Sequence, residues 1–323
     1  MPDQLGTPLQ TPLFQRVGLI GLGLIGSSLA RGIKRMNLAH AITAIDADPH
    51  VCERVSALNM ADTVTQDAAS GVKDCDLVIL CVPVGACGPL AKIIGPHLQP
   101  DCILSDVGSV KSSVVQAVEP HLPDHVHFIP AHPVAGTEYS GPDAGFSTLF
   151  HNRWCILTPP DNVVQSKADL LKDFWEGLGA NVEWMTAQRH DLVLAVTSHL
   201  PHLIAYNIVG TAADLETVTQ SEVIKFSAGG FRDFTRIAAS DPTMWRDVFL
   251  NNKQAVLEML GRFTEDLALL QRAIRWGDGE TLFNTFTRTR AIRRSIIDLG
   301  QETAAPDFGR RSPDDQTDPS VKR

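Results

Sequence analysis

No CxxC pair occurs among the six cysteines of this 323-residue chain (Cys52, Cys75, Cys81, Cys87, Cys102 and Cys155). That excludes the paired-thiol pattern of a metal or redox centre, and four of the thiols lie in or beside apolar segments, where reduced core cysteines are expected. A basic surplus is also missing. The net charge of −9 and the pI near 5.6 exclude a protein that tracks nucleic-acid phosphates with a basic face. An anionic ligand must therefore be met by locally placed arginines. No unbroken apolar run reaches the roughly eighteen residues of a membrane span, and Met1 to Leu13 has neither the basic start nor the apolar run of an export signal. A cytoplasmic protein is expected, with no membrane or nucleic-acid partner. No internal repeat is visible.

What is present is the balance of a globular protein, with 44% hydrophobic and 20% charged residues and a length sufficient for two domains. From Arg16 to about Met185, short β-branched runs alternate with helical patterns, the rhythm of βαβ units on a doubly wound parallel sheet. The strand candidates are RVGLI, AITAID, LVILCVP, CILSDV, HFIPAHP, WCILTP and VEWM. Lys167 to Leu178 reads as an outer helix that stops at Gly179. After about Thr186 strand signals vanish. The chain thus divides into an α/β, Rossmann-type unit over 14–186, an all-α unit over 187–300 and a polar, disordered tail over 301–323.

The first helix of the second unit, DLVLAVTSHLPHLIAYNIVGTAA, is apolar on nearly every side and is expected at the centre of that domain, bent by Pro201. Asp241 and Pro242 form a cap and first turn, from which one helix of some thirty-odd residues, roughly 50 Å, runs toward Gly277. That apolar length exceeds what a small domain can cover, so a homodimer built on the helical domains is expected. A last helix runs through Leu282 and Ile296 to Gly300.

In VGLIGLGLIGSSLARG, Gly21, Gly23 and Gly26 form a GxGxxG run between an apolar strand and an amphipathic helix, with Leu24 and Ile25 inside the motif. The glycines permit the tight turn, the approach of a pyrophosphate and close helix packing, while free N–H groups at the helix start favour phosphate. Asp46, twenty residues beyond Gly26, stands where a carboxylate accepts both ribose hydroxyls. It selects NAD, because a 2′-phosphate beside it is repelled by up to about 4 kcal/mol. Val82 and Pro83, at the end of LVILCVP, complete the cofactor-side candidates.

Four polar constellations remain: SDVGSVKSS at 105–113, HPVAGTE at 132–138, SHLPH at 198–202, and GGFRDFTRIAASDPTMWRD at 229–247, which sets Arg232 and Arg236 one helical turn apart. A guanidinium fork there suits a carboxylate. His199 and His202 raise the question of zinc, but Pro201 intervenes and no third ligand has a plausible spacing, so no metal is expected.

Together with the glycine loop, these segments resemble the prephenate and arogenate dehydrogenases of tyrosine biosynthesis, in the right order from about Val17 to Asp247. The resemblance implies NAD-dependent oxidative decarboxylation of prephenate to 4-hydroxyphenylpyruvate, of arogenate to tyrosine, or of both. It makes His132 the catalytic histidine on the ring hydroxyl and gives Ser109 the task of positioning that histidine and the nicotinamide. Arg236 matches the arginine for a substrate carboxylate, and Ser198, His202 and Trp245 match pocket positions. Glu138 and Asp233 correspond to acidic residues of an ionic gate. Ser27 and Val134 depart from the family's commoner residues, away from the chemistry. A mutase segment before the first strand and a regulatory module after Gly300 are not expected, so tyrosine feedback would act at the active site. Two alternatives stay open: a β-hydroxyacid dehydrogenase or imine reductase, against which Lys225 and Lys253 lack the required setting, and a non-catalytic NAD-binding protein.

Overall fold

Apolar strands alternate with helices from the start of the chain. In a computed structural model that describes residues 6–137, 139–219 and 229–298, the first six strands build one parallel sheet. They are β1 (Phe14–Ile20), β2 (Ala39–Ile45), β3 (Thr63–Thr65), β4 (Leu77–Leu80), β5 (Ile103–Asp106) and β6 (His127–Phe128), in the order β3-β2-β1-β4-β5-β6. The intervening helices are α1 (Leu24–Met36), α2 (Pro49–Ala57), α3 (Ala68–Gly71), α4 (Cys87–Ile94) and α5 (Ser112–Val118). Successive strand residues face opposite sides, so Leu77 and Ile79 of β4 enter one core while Val78 and Leu80 enter the other. Both faces are buried, which explains why these strands read as continuous apolar runs.

HFIPAHP is not one strand. It breaks at Pro130, which has no N–H for a ladder, and its second half becomes β7 (Ala131–Pro133) in a separate sheet with β8 (Trp154–Leu157) and β9 (Asn181–Trp184). There β7 runs antiparallel to β8, and β8 is parallel to β9. The continuous parallel rhythm expected as far as Met185 thus ends at Phe128. The edge strand β3, with only the triplet TVT, carried too little pattern to be read. Helix α6 (Gln165–Gly177) buries Ala168, Leu171, Phe174 and Trp175, and Gly179 follows at φ +85.

The helical part comprises α7 (Ala187–Leu194), α8 (Leu200–Thr219), α9 (Gly229–Thr235), α10 (Pro242–Asn251), α11 (Lys253–Trp276) and α12 (Gly279–Asp298). Two expectations need correction here. The helix from Asp191 onward is not buried all round. It widens into a π turn over Ala195–His199 just before Pro201, and Leu192, Val193, Val196, Ile208 and Val209 face outward. By length and composition the stretch Ala187–Asp214, which holds an 18-residue window with a mean hydropathy of 1.4, is also apolar enough to cross a membrane. Second, the single long helix after Asp241 is two. Asn252, at φ −107 and ψ 31, separates α10 from α11 because its amide turns inward to the Asp191 carbonyl (2.8 Å) and the His199 ring (3.0 Å). The ends were read correctly: the Asp241 side chain accepts from Met244 N, and Gly277 closes α11 at φ +66. The tail over 301–323 lies outside the described residues.

Candidate active site

The parallel sheet presents its ligand crevice where strand order reverses, between β1 and β4. Gly21 follows β1 at φ +93, and a Cβ there would lie 2.5 Å from the Cys81 carbonyl oxygen, so glycine alone fits the turn. A Cβ on Gly26 would overlap the Gly21 carbonyl, whereas one on Gly23 would meet nothing within 4 Å, leaving open space above the loop. No side chain caps α1 at Gly23, and its first N–H groups remain available. Leu24 and Ile25 are half-buried at this helix start, and Val82 and the exposed Pro83 lie across the crevice beyond β4. Just after β2, Asp46 accepts from Leu22 N (2.8 Å) and Asp48 N (3.0 Å), so it braces the glycine turn while standing half-exposed at its edge. The cradle fits a dinucleotide: an open, donor-rich helix start for pyrophosphate and a carboxylate for a ribose diol.

His132 is buried at the centre of β7, paired in register with Ile156. The hydrogen bond that orients its ring comes from a residue not singled out from the sequence: His132 Nδ1 lies 2.8 Å from His190 Nε2. His190 Nδ1 is in turn 2.9 Å from Asp191 Oδ1. The Asp191 carboxylate also accepts from Lys111 N and Ser112 N, each at 2.8 Å. Burial pushes the Asp191 carboxyl up, but the bonds from His190, Ser112 and Lys111 together outweigh it and hold the pKa below the usual value. Lys111, fully buried, bonds through Nζ to Asp106 Oδ2 (2.5 Å) and to the Ala131 carbonyl (2.7 Å), fixing the backbone next to His132. Burial, reinforced by the neighbouring His190 ring, the Lys111 charge and the His199 ring, drives the His132 pKa well below its ordinary value.

Ser109 is half-buried in the loop after β5, and its backbone approaches the His199 ring. The partner of the His132 ring is thus His190, and no hydrogen bond from Ser109 to that ring is present. In the SHLPH segment it is His199 that turns inward. Its Nδ1 meets Asn252, and burial depresses its pKa to about 4. Ser198 contributes its carbonyl, 2.8 Å from His202 Nδ1. His202 stacks on Trp245 with ring centroids 3.6 Å apart, and Trp245 also meets the His199 ring edge-on at 6.1 Å. Trp245 belongs to the same buried core as Val84 and Val110, a core that α10 shares with the Rossmann half.

Arg232 lies in α9, which ends at Thr235, and Arg236 opens the 3-10 turn that follows directly. Arg236 is half-buried and close enough for its charge to depress the His202 pKa, after burial. Arg232 and Asp233 are exposed. A chain of neighbours, His132–His199–Trp245–His202–Arg236, therefore connects β7 to the helical half. Glu138 lies outside the described residues. His190, Asp191, Asn252 and Lys111 were missed. The available signal was a His-Asp pair opening an otherwise apolar helix.

A dinucleotide cradle on a Rossmann sheet, flanked by a buried imidazole and a helical domain, defines an NAD-dependent dehydrogenase. The profile of the prephenate dehydrogenase nucleotide-binding domain matches residues 29–184, and that of the prephenate dehydrogenase dimerization domain matches residues 186–288. The chain is 42% identical to a cyclohexadienyl dehydrogenase of Zymomonas mobilis over 88% of its own length and 97% of the relative's. It is similar in structure to the prephenate dehydrogenase of Aquifex aeolicus solved with hydroxyphenyl propionate and NAD+ (TM-score 0.82, 34% identity, 87% of this chain and 98% of that one). It is also similar to the Synechocystis arogenate dehydrogenase (TM-score 0.74, 26% identity, 87% and 100% covered). The chain belongs to the prephenate dehydrogenase family.

Proposed function

We propose that this chain oxidatively decarboxylates prephenate, arogenate or both, with NAD as hydride acceptor and His132 as the base. The observation that carries the reading is a buried, uncharged imidazole, held by a hydrogen bond to His190, in the same Rossmann half as the dinucleotide cradle. Oxidation of a ring carbinol requires its hydroxyl proton to leave as hydride departs, and a neutral imidazole accepts such a proton at cellular pH. Bound in the cradle of Gly21, Gly23, Gly26 and Asp46, with Val82 and Pro83 opposite, NAD supplies the hydride acceptor. Ketone formation across the ring from a carboxylate is coupled to loss of CO2 and the gain of aromaticity, so the protein's main tasks are to orient the substrate and take the proton.

Arg236 serves a substrate carboxylate, and His202, stacked on the buried Trp245, offers its outer face to a six-membered ring. Ser109, in the loop after β5, is assigned to the same space; Ser198 acts through its carbonyl on His202. Asp233 is assigned to an ionic gate over the pocket, the role that the family resemblance gives it together with Glu138. The functional units are residues 14–186 for the cofactor and 187–300 for substrate and dimerisation. We assign the enzyme to the cytoplasm, where its six free thiols stay reduced.

A homodimer completes the molecule. Apolar side chains face outward on α11 and α12, including Ile274 (68% exposed) and Trp276 (77%), and such a surface requires a cover. Initial rates of NAD reduction with each substrate test the activity. Saturable NADH formation with prephenate or arogenate is expected, and no NADH with either removes the reading. The ratio of the two kcat/KM values fixes the preference.

A further inference from the structure

The contacts behind His132 form a line: His132 Nδ1 to His190 Nε2, His190 Nδ1 to Asp191 Oδ1, and Asp191 to the Lys111 and Ser112 amides. An ionised carboxylate only accepts, and two backbone N–H groups already point at this one. His190 Nδ1 must therefore carry the hydrogen. A neutral His190 then has only a lone pair at Nε2, so the hydrogen in its contact with His132 belongs to His132 Nδ1. His132 Nε2 is left bare. The order of hydrogen bonds thus fixes which nitrogen of His132 is basic.

We propose that His190 and Asp191 are positioning residues that lock His132 in its Nδ1–H tautomer and share the positive charge when Nε2 takes the substrate's hydroxyl proton. In that step the O–H bond breaks and an Nε2–H bond forms. The oxygen electron pair closes the new carbonyl as hydride leaves for NAD. The Nδ1 proton moves toward His190 Nε2, bringing the charge nearer Asp191. The proximity of the Lys111 ammonium makes this sharing necessary, because a cation confined to His132 would face it in a buried site. The neighbouring Asp106 partly offsets that ammonium; the other titratable ring near His132, His199, is itself held neutral by burial.

The proposal rests on His132 being the base, and the test separates the two. Three variants of the full chain are compared with wild type: His132→Asn, His190→Leu and His190→Gln. A glutamine amide offers an oxygen to His132 Nδ1–H and an N–H to Asp191, so it preserves the tautomer where leucine does not. His190→Leu is expected to lower kcat roughly 100-fold, within the range a positioned base contributes, with KM and NAD affinity within about threefold of wild type. His190→Gln is expected to recover about tenfold of that loss. Nitrogen-15 spectra of histidine-labelled wild-type protein with NAD should show His132 protonated at Nδ1 and bare at Nε2. The signal is assigned by its absence in His132→Asn, and no variant at position 190 need fold for this measurement. An Nε2–H tautomer of His132 overturns the proposal, as does a folded His190→Leu enzyme with wild-type kcat or a His190→Gln enzyme no better than it. Retained turnover in His132→Asn instead overturns the base assignment itself.

Discussion

His132 is buried and uncharged for reasons that also set its pH behaviour. Burial comes first, and the His190 ring on α7, the Lys111 charge ahead of α5 and the His199 ring in the π turn add to it, all lowering its pKa. The bare base therefore persists below the ordinary histidine value of ~6.5. In a kcat/KM profile the acid limb is expected below pH 6.5, and a limb at or above that value contradicts the environment described. The same burial has a cost in stability. His199 titrates at about 4 when folded and near ~6.5 when unfolded, so the unfolded chain binds the extra proton between those values. Stability should fall as pH drops from ~6.5 toward about 4, with His199 alone contributing about 3 kcal/mol at 1.36 kcal/mol per unit. Denaturant unfolding at several pH values in that window measures it. At the rim, Arg236→Gln removes a fork whose bonds to a charged group contribute roughly 1.5–3 kcal/mol each. KM should rise at least tenfold with a smaller change in kcat.

At the scale of elements, the glycine turn and the Asn252 break do the positioning. A Cβ on Gly26 collides with the Gly21 carbonyl, so Gly26→Ala must push α1 away from β1. NAD affinity should fall more than tenfold, measured by calorimetry, while far-ultraviolet circular dichroism stays native. The glycine loop and the parallel, Rossmann-type sheet were legible because each depends on local chemistry: a positive φ, an alternation of strand and helix patterns, a motif read in place. What was illegible depends on tertiary contacts. Pro130 divides HFIPAHP between two sheets because β7 finds β8 as an antiparallel partner, and nothing within seven residues announces that partner. Asn252 sits in an unbroken helical pattern and interrupts it only because Asp191 and His199, some fifty to sixty residues earlier, attract its amide. His190 was missed for the same reason, since its role is defined by the ring it meets.

Over the whole molecule, the Rossmann half and the helices share one buried core, in which Trp245 and Val248 of α10 lie with Val84 and Val110. The opposite surface of the helices is apolar and open, on α8 as well as on α11 and α12. Light scattering should give about twice the monomer mass of 35.1 kDa. Replacing Ile274 and Trp276 together by aspartate should shift the population toward monomer, and an unchanged mass places the interface elsewhere.

The central claim is that His132 takes the substrate's proton beside bound NAD. The direct measurement is turnover and NAD binding in His132→Asn, whose side chain keeps a polar group of similar reach but has no basic nitrogen. With prephenate or arogenate, whichever the wild-type enzyme oxidises, kcat should fall by at least roughly 1,000-fold, within the range of general-base contributions, and NAD should bind as in the wild type. A variant that binds NAD normally and keeps more than a tenth of the wild-type kcat contradicts the account.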